Sequence, residues 1–94
     1  MNAPTALIAD DEPLLRERLA AHLARLWPEL LIVGQARNGR EAVELFEDHA
    51  PQVAFLDVHM PGLSGIDAAR SMARRTQIVF VTAYEQYAVK AFEQ

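Results

Sequence analysis

Three carboxylates stand directly after short apolar runs in this sequence. Asp10 and Asp11 follow the run Thr5–Ala9, and Asp57 follows the run Val53–Leu56. Both runs lack polar alternation, which is typical of strands that are buried on both faces of a parallel sheet. Ligands of open α/β sheets bind at the carboxyl ends of the strands, so the three carboxylates predict an all-oxygen site suited to a hard cation such as Mg²⁺.

Carboxylates gathered in this way repel one another. Two ionised carboxylates about 5 Å apart repel by roughly 3 kcal/mol at an effective dielectric constant near 20. A raised carboxyl pKa or a bound divalent cation would offset that free energy. Each residue taken singly also has an ordinary interpretation, because Asp10 or Asp11 could cap the helix that follows, and an Asp after a strand commonly opens a turn.

The remaining sequence supplies the elements that would position these residues. Apolar runs and capping signals predict four strands and four helices in strict alternation. The strands are predicted at Thr5–Ala9, Leu30–Val33, Val53–Leu56 and Ile78–Val81, and the helices at Pro13–Leu26, from the cap Asn38 to His49, from the cap Ser64 to Ala73, and from about Glu85 to the end of the chain. Short connections between them favour an open parallel α/β sheet with helices on both faces.

Three local signals set the details of this interpretation. The first helix carries an apolar stripe at helical spacing, and its charged residues Arg16, Glu17 and Arg25 are expected to face water. The stripe consists of Leu15, Leu19, Leu23 and Leu26. Gly34 is expected to close the second strand. In the second helix, Glu41 lies three residues after the cap Asn38, and we expect it to reach back in a capping box.

Composition excludes several classes of protein. The chain has 94 residues, which is the size of one small domain, and its net charge of −4 is the wrong sign for gripping nucleic acid phosphates. It has no cysteine, so disulfides, thiolate nucleophiles and cysteine-based zinc sites are excluded. No apolar run approaches the roughly 20 residues of a membrane span, and Met1–Thr5 lacks a basic signal-peptide head. A soluble cytoplasmic protein without membrane contact is expected.

Three segments carry a family resemblance. They are IADDEP at Ile8–Pro13, FLDVHMPGLSGID at Phe55–Asp67, and FVTAYEQYAVKAFE at Phe80–Glu93. Together they resemble the receiver domains of two-component response regulators, and the last segment is most similar to the receivers that precede LytTR-type DNA-binding domains in LytR/AlgR-like regulators. The resemblance covers nearly the whole chain and implies a flavodoxin-like (CheY-like) sheet with strand order 2-1-3-4.

The resemblance also implies a role for each carboxylate. Asp57 corresponds to the nucleophile that accepts a phosphoryl group from a phosphohistidine of a sensor histidine kinase. Asp10 and Asp11 would hold Mg²⁺, directly or through water, together with the Asp57 carboxylate and the backbone carbonyl of His59. This assignment agrees with elementary chemistry, because a carboxylate attacks a like-charged phosphoryl group poorly unless a divalent cation neutralises and aligns both.

The last segment would carry the signal. By resemblance, Thr82 is the switch hydroxyl that turns towards the phosphoryl oxygen, and Ala83 is the small residue that leaves access to the site. A β-branched strand terminus is the alternative for Thr82. Tyr84 and Tyr87 could belong to a partner-facing surface or could simply pack at the rim of the core.

One departure from the family pattern bears on function. The family's fifth strand, with its phosphoryl-pairing lysine, and its last helix have no counterpart, and Lys90 does not occupy the motif position. Residues 1–94 are therefore expected to form a C-terminally truncated receiver domain whose exposed edge and apolar face favour a homodimer or a swapped oligomer. An interaction module that is not phosphorylated is the alternative. A haloacid-dehalogenase-type phosphatase would need a D-x-D motif, which Asp10-Asp11-Glu12 lacks.

Other charged and metal-ligating residues point to no second site. His22 and His49 lie on predicted helices without a partner at ligand spacing, so no zinc site is expected. Arg70, Arg74 and Arg75 cluster on the predicted third helix. They could meet a phosphate or an acidic partner, although a solvated helix face is the ordinary interpretation.

Overall fold

A computed structural model describes residues 3–81 of the chain. These residues form strands and helices in strict alternation. The strands are β1 (Thr5–Ala9), β2 (Leu31–Ala36), β3 (Val53–Asp57) and β4 (Gln77–Val81), and the helices are α1 (Pro13–Leu26), α2 (Gly39–His49) and α3 (Gly65–Met72). All strand pairs are parallel and the order across the sheet is β2-β1-β3-β4, which confirms the predicted order.

The two faces of the sheet carry separate apolar clusters, because successive strand residues point to opposite sides. On one face, Ala6, Ile8 and Phe55 pack with Leu19 and Leu23 of α1. On the other face, α2 and α3 cover a larger cluster. Both of those helices bury residues completely, whereas α1 has no buried residue, so the α1 side is the thinner layer.

The apolar stripe of α1 differs from the prediction at its end. Leu19 and Leu23 pack against the sheet and Leu15 is half-buried, as the helical spacing predicts. Leu26 is 76% exposed, so its predicted place on the packed face is wrong. It is the last residue of the helix, and Leu30, which follows the turn, contacts the end of the same cluster instead.

The predicted helix caps are present, with one difference in detail. The side chain of Asn38 accepts a hydrogen bond from the backbone N–H of Glu41 at 2.8 Å. The side chain of Ser64 accepts one from the backbone N–H of Asp67 at 3.2 Å. Glu41 does not reach back to Asn38. Its carboxylate instead accepts hydrogen bonds from the backbone N–H and the guanidinium of Arg37, the residue directly before Asn38. The start of α2 is therefore held by a cap and by an ion pair.

Gly34 does not end the second strand, and the predicted span Leu30–Val33 is too short. The strand runs from Leu31 to Ala36, with Gly34 inside it opposite Leu7, just after an irregularity in the register. A Cβ at position 34 would lie 3.0 Å from the Leu45 side chain. The glycine therefore allows α2 to approach the strand closely.

The other element boundaries agree with the predictions to within one residue. β3 includes Asp57 itself, and β4 begins at Gln77 rather than Ile78. The predicted last helix, from about Glu85, lies outside the described residues. Within residues 3–81, no helix has the length and apolar character needed to cross a lipid bilayer.

Candidate functional site

The register between β1 and β3 brings two carboxylates face to face. Ala9 pairs with Leu56, and the same offset extended by one residue sets Asp10 opposite Asp57. Both aspartates are buried, each only 6% exposed, whereas Asp11 is exposed. One carboxylate oxygen from each of the three residues lies within 4.8 Å of the others. The carboxylates predicted to converge therefore do so.

The two buried carboxylates are held by short local hydrogen bonds. The backbone N–H of Glu12 donates to Oδ1 of Asp10 at 2.9 Å, and the backbone N–H of His59 donates to Oδ1 of Asp57 at 3.2 Å. Helix α1 begins after Glu12 without a side-chain cap, so neither Asp10 nor Asp11 caps it. The two bonds orient the buried side chains at the ends of β1 and β3.

The site is electrostatically unfavourable without a cation. Burial is the main cause that raises the pKa of Asp10, and the charges of Asp57, Asp11 and Glu12 raise it further against the lowering effect of its backbone hydrogen bond. Burial likewise raises the pKa of Asp57, with Asp11 and Glu12 adding to the effect, while the His59 contact opposes it. Within residues 3–81, none of the arginine ion pairs involves these carboxylates.

Gly65 is a site residue that sequence reasoning missed. It is the first residue of α3, its N–H donates to the carbonyl oxygen of Val58 at 3.2 Å, and a Cβ built on it would overlap the carbonyl oxygen of Asp57. The start of α3 is therefore packed directly against the backbone that carries the carboxylate. The available signal was a glycine directly after the cap Ser64, since glycine is unfavourable in a helix unless close packing requires it.

Arg16 is a second missed residue, and its expected exposure to water is wrong. The side chain is half-buried, and Nη1 donates to the backbone carbonyl oxygen of Asp10 at 2.6 Å. The N–H of Asp10 donates to the carbonyl oxygen of Ala36 at 3.0 Å. Both main-chain polar groups of Asp10 are therefore bonded, one to the neighbouring strand and one to α1.

His59 contacts Asp57 of the acidic cluster, whereas the other two histidines lie elsewhere in the fold. His22 contacts Arg25 at 3.1 Å on α1, and His49 is exposed at the end of α2. Among residues 3–81, Asp10, Asp11 and Asp57 are the only group of three or more potential metal ligands.

The arginine group predicted on the third helix is only partly helical. Arg74 and Arg75 follow the end of α3 at Met72, which corrects their predicted placement. Arg75 pairs with Glu47 at 3.0 Å and lies over a phenylalanine ring, while Arg70 pairs with a neighbouring aspartate at 3.5 Å. These contacts tie two of the three guanidinium groups to the fold itself.

The predicted switch residues Thr82 and Ala83 lie outside the described residues, as do Tyr84 and Tyr87. Their roles stay predictions. Val81, the last described residue, pairs with Asp57 in the β3–β4 register.

Comparison with known proteins identifies relatives of this chain. Residues 6–94 match the family model described as the response regulator receiver domain. A response regulatory protein of Vibrio cholerae is 51% identical over 92 residues, which covers 95% of this chain and 35% of the relative. The sensory transduction protein LytT of Oceanobacillus iheyensis is 39% identical, with 93% of this chain and 37% of the relative covered.

A third relative is the positive alginate biosynthesis regulatory protein of Pseudomonas aeruginosa. It is 39% identical over 90 residues, which covers 93% of this chain and 36% of the relative. The chain thus spans between 35% and 37% of the length of these three curated relatives.

Solved structures agree with this family match. The signal receiver domain of NarL from Mycobacterium tuberculosis superposes with a TM-score of 0.81 at 32% identity, covering 95% of this chain and 73% of that one. The response regulator TrrA from Thermotoga maritima, solved in complex with Mg²⁺-BeF, superposes with a TM-score of 0.77 at 33% identity, covering 89% and 73%.

Proposed function

This chain belongs to the response regulator receiver domain family of two-component systems, and from that premise we propose that Asp57 accepts a phosphoryl group from the phosphohistidine of a sensor histidine kinase in the cytoplasm. Members of this family are regulatory phosphoacceptors rather than classical enzymes. The observation that carries the proposal is the position of Asp57, buried at the end of β3 with an oxygen within 4.8 Å of oxygens of Asp10 and Asp11.

The residues of the site fit a magnesium ion. The three carboxylates form an all-oxygen donor cluster of the kind that Mg²⁺ prefers, and two of them are buried with raised pKa values. When bound, Mg²⁺ would neutralise negative charge on the carboxylates and on the incoming phosphoryl group. We propose that Asp10, Asp11, Asp57 and the His59 carbonyl hold it.

In the proposed step, one Asp57 carboxylate oxygen attacks phosphorus in line with the leaving group. A new O–P bond forms while the P–N bond of the phosphohistidine breaks, and the electron pair of that bond returns to the imidazole nitrogen. The hydrogen bond from the His59 N–H to Oδ1 of Asp57 holds the carboxylate so that Oδ2 is available for attack. The N–H of Gly65 donates to the carbonyl oxygen of Val58, which links the first residue of α3 to the residue after Asp57.

The signal would leave the site through the segment after β4. Val81, the last described residue, pairs with Asp57, and Thr82 and Ala83, to which we assign the switch roles, follow it in sequence. A partner surface including Tyr84 and Tyr87 follows in sequence. We propose that the output is a LytTR-type DNA-binding domain. The LytT and alginate regulatory relatives, of which this chain covers little more than a third, support that proposal.

Self-association is a second proposal, supported by apolar exposure. Leu26 and Leu31 are 76% and 56% exposed, and Val79 and Phe80 of β4 are 40% and 47% exposed. Within residues 3–81, β4 is an edge of the sheet, and edge strands with apolar side chains favour pairing with a second chain. We propose a homodimer or swapped oligomer.

Mass spectrometry of the intact protein tests the proposed phosphoacceptor function. Wild-type protein incubated with acetyl phosphate and Mg²⁺ is expected to gain one phosphoryl group, and both Asp57→Asn and chelation of the metal are expected to prevent this. Asp48→Asn, which removes an exposed carboxylate on α2, is the matched control and should react like wild type. A wild-type chain that gains no phosphoryl group would support a purely structural interaction module instead.

A further inference from the structure

Arg16 is hydrogen-bonded both to Asp10 of the acidic cluster and to Glu12, which is itself bonded to Asp10. Its Nη1 donates to the carbonyl oxygen of Asp10 at 2.6 Å, and its backbone N–H donates to the carbonyl oxygen of Glu12 at 3.1 Å. The N–H of Glu12 in turn donates to Oδ1 of Asp10 at 2.9 Å. Side chain and main chain of Asp10 are therefore linked through one arginine to the first turns of α1.

We propose that Arg16 is a positioning residue for the Asp10 carboxylate, which it places for divalent cation binding through the carbonyl of the same residue. The inference rests on the proposed function, because that function assigns the cation to Asp10. A charge-assisted hydrogen bond of this length is among the stronger and more directional contacts of a protein. Groups that orient a metal ligand in this way change metal affinity without touching the metal.

The other contacts of Asp10 explain why one arginine can have this effect. The N–H of Asp10 is bonded to Ala36 of β2, so the strand fixes one end of the residue. Its carbonyl precedes the turn into α1 and has Arg16 as its side-chain donor. Without that donor, the peptide group after Asp10 would be freer to rotate. Such a rotation would displace the Glu12 N–H, and the Asp10 carboxylate oxygen bonded to that N–H would move with it.

Simple electrostatics predicts the opposite change in Mg²⁺ affinity when Arg16 is replaced, so the two explanations can be distinguished by experiment. A guanidinium near a cation site repels the cation, so removal of the charge alone would tighten Mg²⁺ binding or leave it unchanged. Removal of a positioning contact weakens binding. Arg18 lies two residues further along α1, is exposed, and provides a matched loss of one positive charge.

The experiment compares Arg16→Met, Arg16→Lys and Arg18→Met by calorimetric titration of the metal-free protein with MgCl₂. Arg16→Met keeps the aliphatic part of the side chain and is expected to bind Mg²⁺ about 10-fold more weakly. Arg16→Lys retains a cationic donor and is expected to recover most of the affinity. Arg18→Met is expected to bind at least as tightly as wild type.

A second measurement separates positioning from a loss of stability. With acetyl phosphate as donor, the Mg²⁺ concentration that gives half the maximal rate of Asp57 modification should rise in Arg16→Met, while the rate at saturating Mg²⁺ should return close to that of wild type. Thermal unfolding of each variant identifies a temperature at which it is folded. If Arg16→Met does not fold, Arg16→Gln replaces it with the same expected direction.

The outcomes distinguish this inference from the proposed function. If wild type binds Mg²⁺ and is modified at Asp57, but Arg16→Met matches Arg18→Met in affinity, the positioning role is wrong and the proposed function stands. A lower unfolding temperature with an unchanged Mg²⁺ dependence would also overturn it, because the contact would then be structural only. If wild type neither binds Mg²⁺ nor accepts a phosphoryl group, both proposals fall.

Discussion

Asp10 and Asp57 make the same local hydrogen bond at the carboxyl ends of neighbouring strands. In each residue Oδ1 accepts the backbone N–H two positions further along, from Glu12 at 2.9 Å and from His59 at 3.2 Å. An amide oxygen can accept the same bond, so replacement of either Asp by Asn removes charge with little change of local geometry. The cost of burying two like charges can therefore be measured separately from the structure that buries them.

Asp57→Asn is expected to stabilise the protein when no divalent cation is present. Burial and the neighbouring acidic residues raise the pKa of Asp57, so the ionised group destabilises the native state at neutral pH. Because the carboxylate repulsion is at most roughly 3 kcal/mol, we expect the free energy of unfolding to increase by on the order of 1–3 kcal/mol. Thermal unfolding in a chelator checks this, with Asp48→Asn as control. An unfolding temperature below that of wild type would contradict the expectation.

The stability difference between Asp57→Asn and wild type should depend on pH. The folded-state pKa of Asp57 is raised from 3.8, so the native state binds this proton more tightly than the unfolded chain does. Stability from this group is therefore complete below the unfolded pKa and is lost as pH rises through the folded one. In chelator, the advantage of Asp57→Asn should be greatest near neutral pH and shrink as pH falls towards about 4.

The lowered pKa of Glu41, caused mainly by its hydrogen bond with Arg37, gives the opposite slope. The interaction of Glu41 with Arg37 is present in both wild type and Asp57→Asn, so its contribution cancels in the stability difference between them. A stability gap that stays constant over this pH range would show that the Asp57 carboxylate is not the origin of the effect.

Asp11→Ala is expected to weaken Mg²⁺ binding much more than Glu12→Ala. Both residues are exposed acids in the same loop, but only Asp11 contributes an oxygen to the cluster within 4.8 Å. If Asp11 is the ligand proposed above, its loss should weaken Mg²⁺ binding by at least the roughly 10-fold typical of groups that only orient ligands. Calorimetric titration with MgCl₂ measures both variants. Equal affinities would mean that long-range charge, not ligation, determines binding.

Gly65→Ala should destabilise the protein and slow phosphorylation of Asp57. The new Cβ would overlap the Asp57 carbonyl oxygen, and because that atom belongs to the backbone, strand and helix must move apart. Overpacking of this kind costs typically about 1–3 kcal/mol. Gly34→Ala is the control, since its Cβ would meet only the end of the flexible Leu45 side chain at 3.0 Å. Urea unfolding should show a clearly smaller loss for Gly34→Ala.

The chain is expected to self-associate as its concentration rises. Leaving large apolar side chains in water forgoes roughly 1.5–3 kcal/mol each, a substantial part of the stability of a small domain. Light scattering over a concentration series should show an increasing mean mass, and Phe80→Ser should reduce it, since Phe80 is 47% exposed on β4. A cooperatively folding monomer at high micromolar concentration would refute the expectation.

Local sequence signals predicted three of the four strands to within one residue, the two side-chain caps and the residue types of the site. A run such as Val53–Leu56 is apolar throughout, so it could be assigned to a buried strand, and Asp57 could be placed at its end without tertiary information. The caps Asn38 and Ser64 were predictable because each side chain bonds a backbone N–H only three residues away. Gly34 was misread because its close contact, with Leu45, comes from another element.

Only the tertiary structure decided which atoms meet. The pairing of Ala9 with Leu56 sets Asp10 opposite Asp57, and a shift of one residue in that register would turn one carboxylate to the other face of the sheet. The roles of Gly65 and Arg16 likewise depend on main-chain oxygens that lie close only after the chain has folded. Residue types carry the chemistry of this site, but its geometry depends on strand register and close packing, which no local pattern encodes.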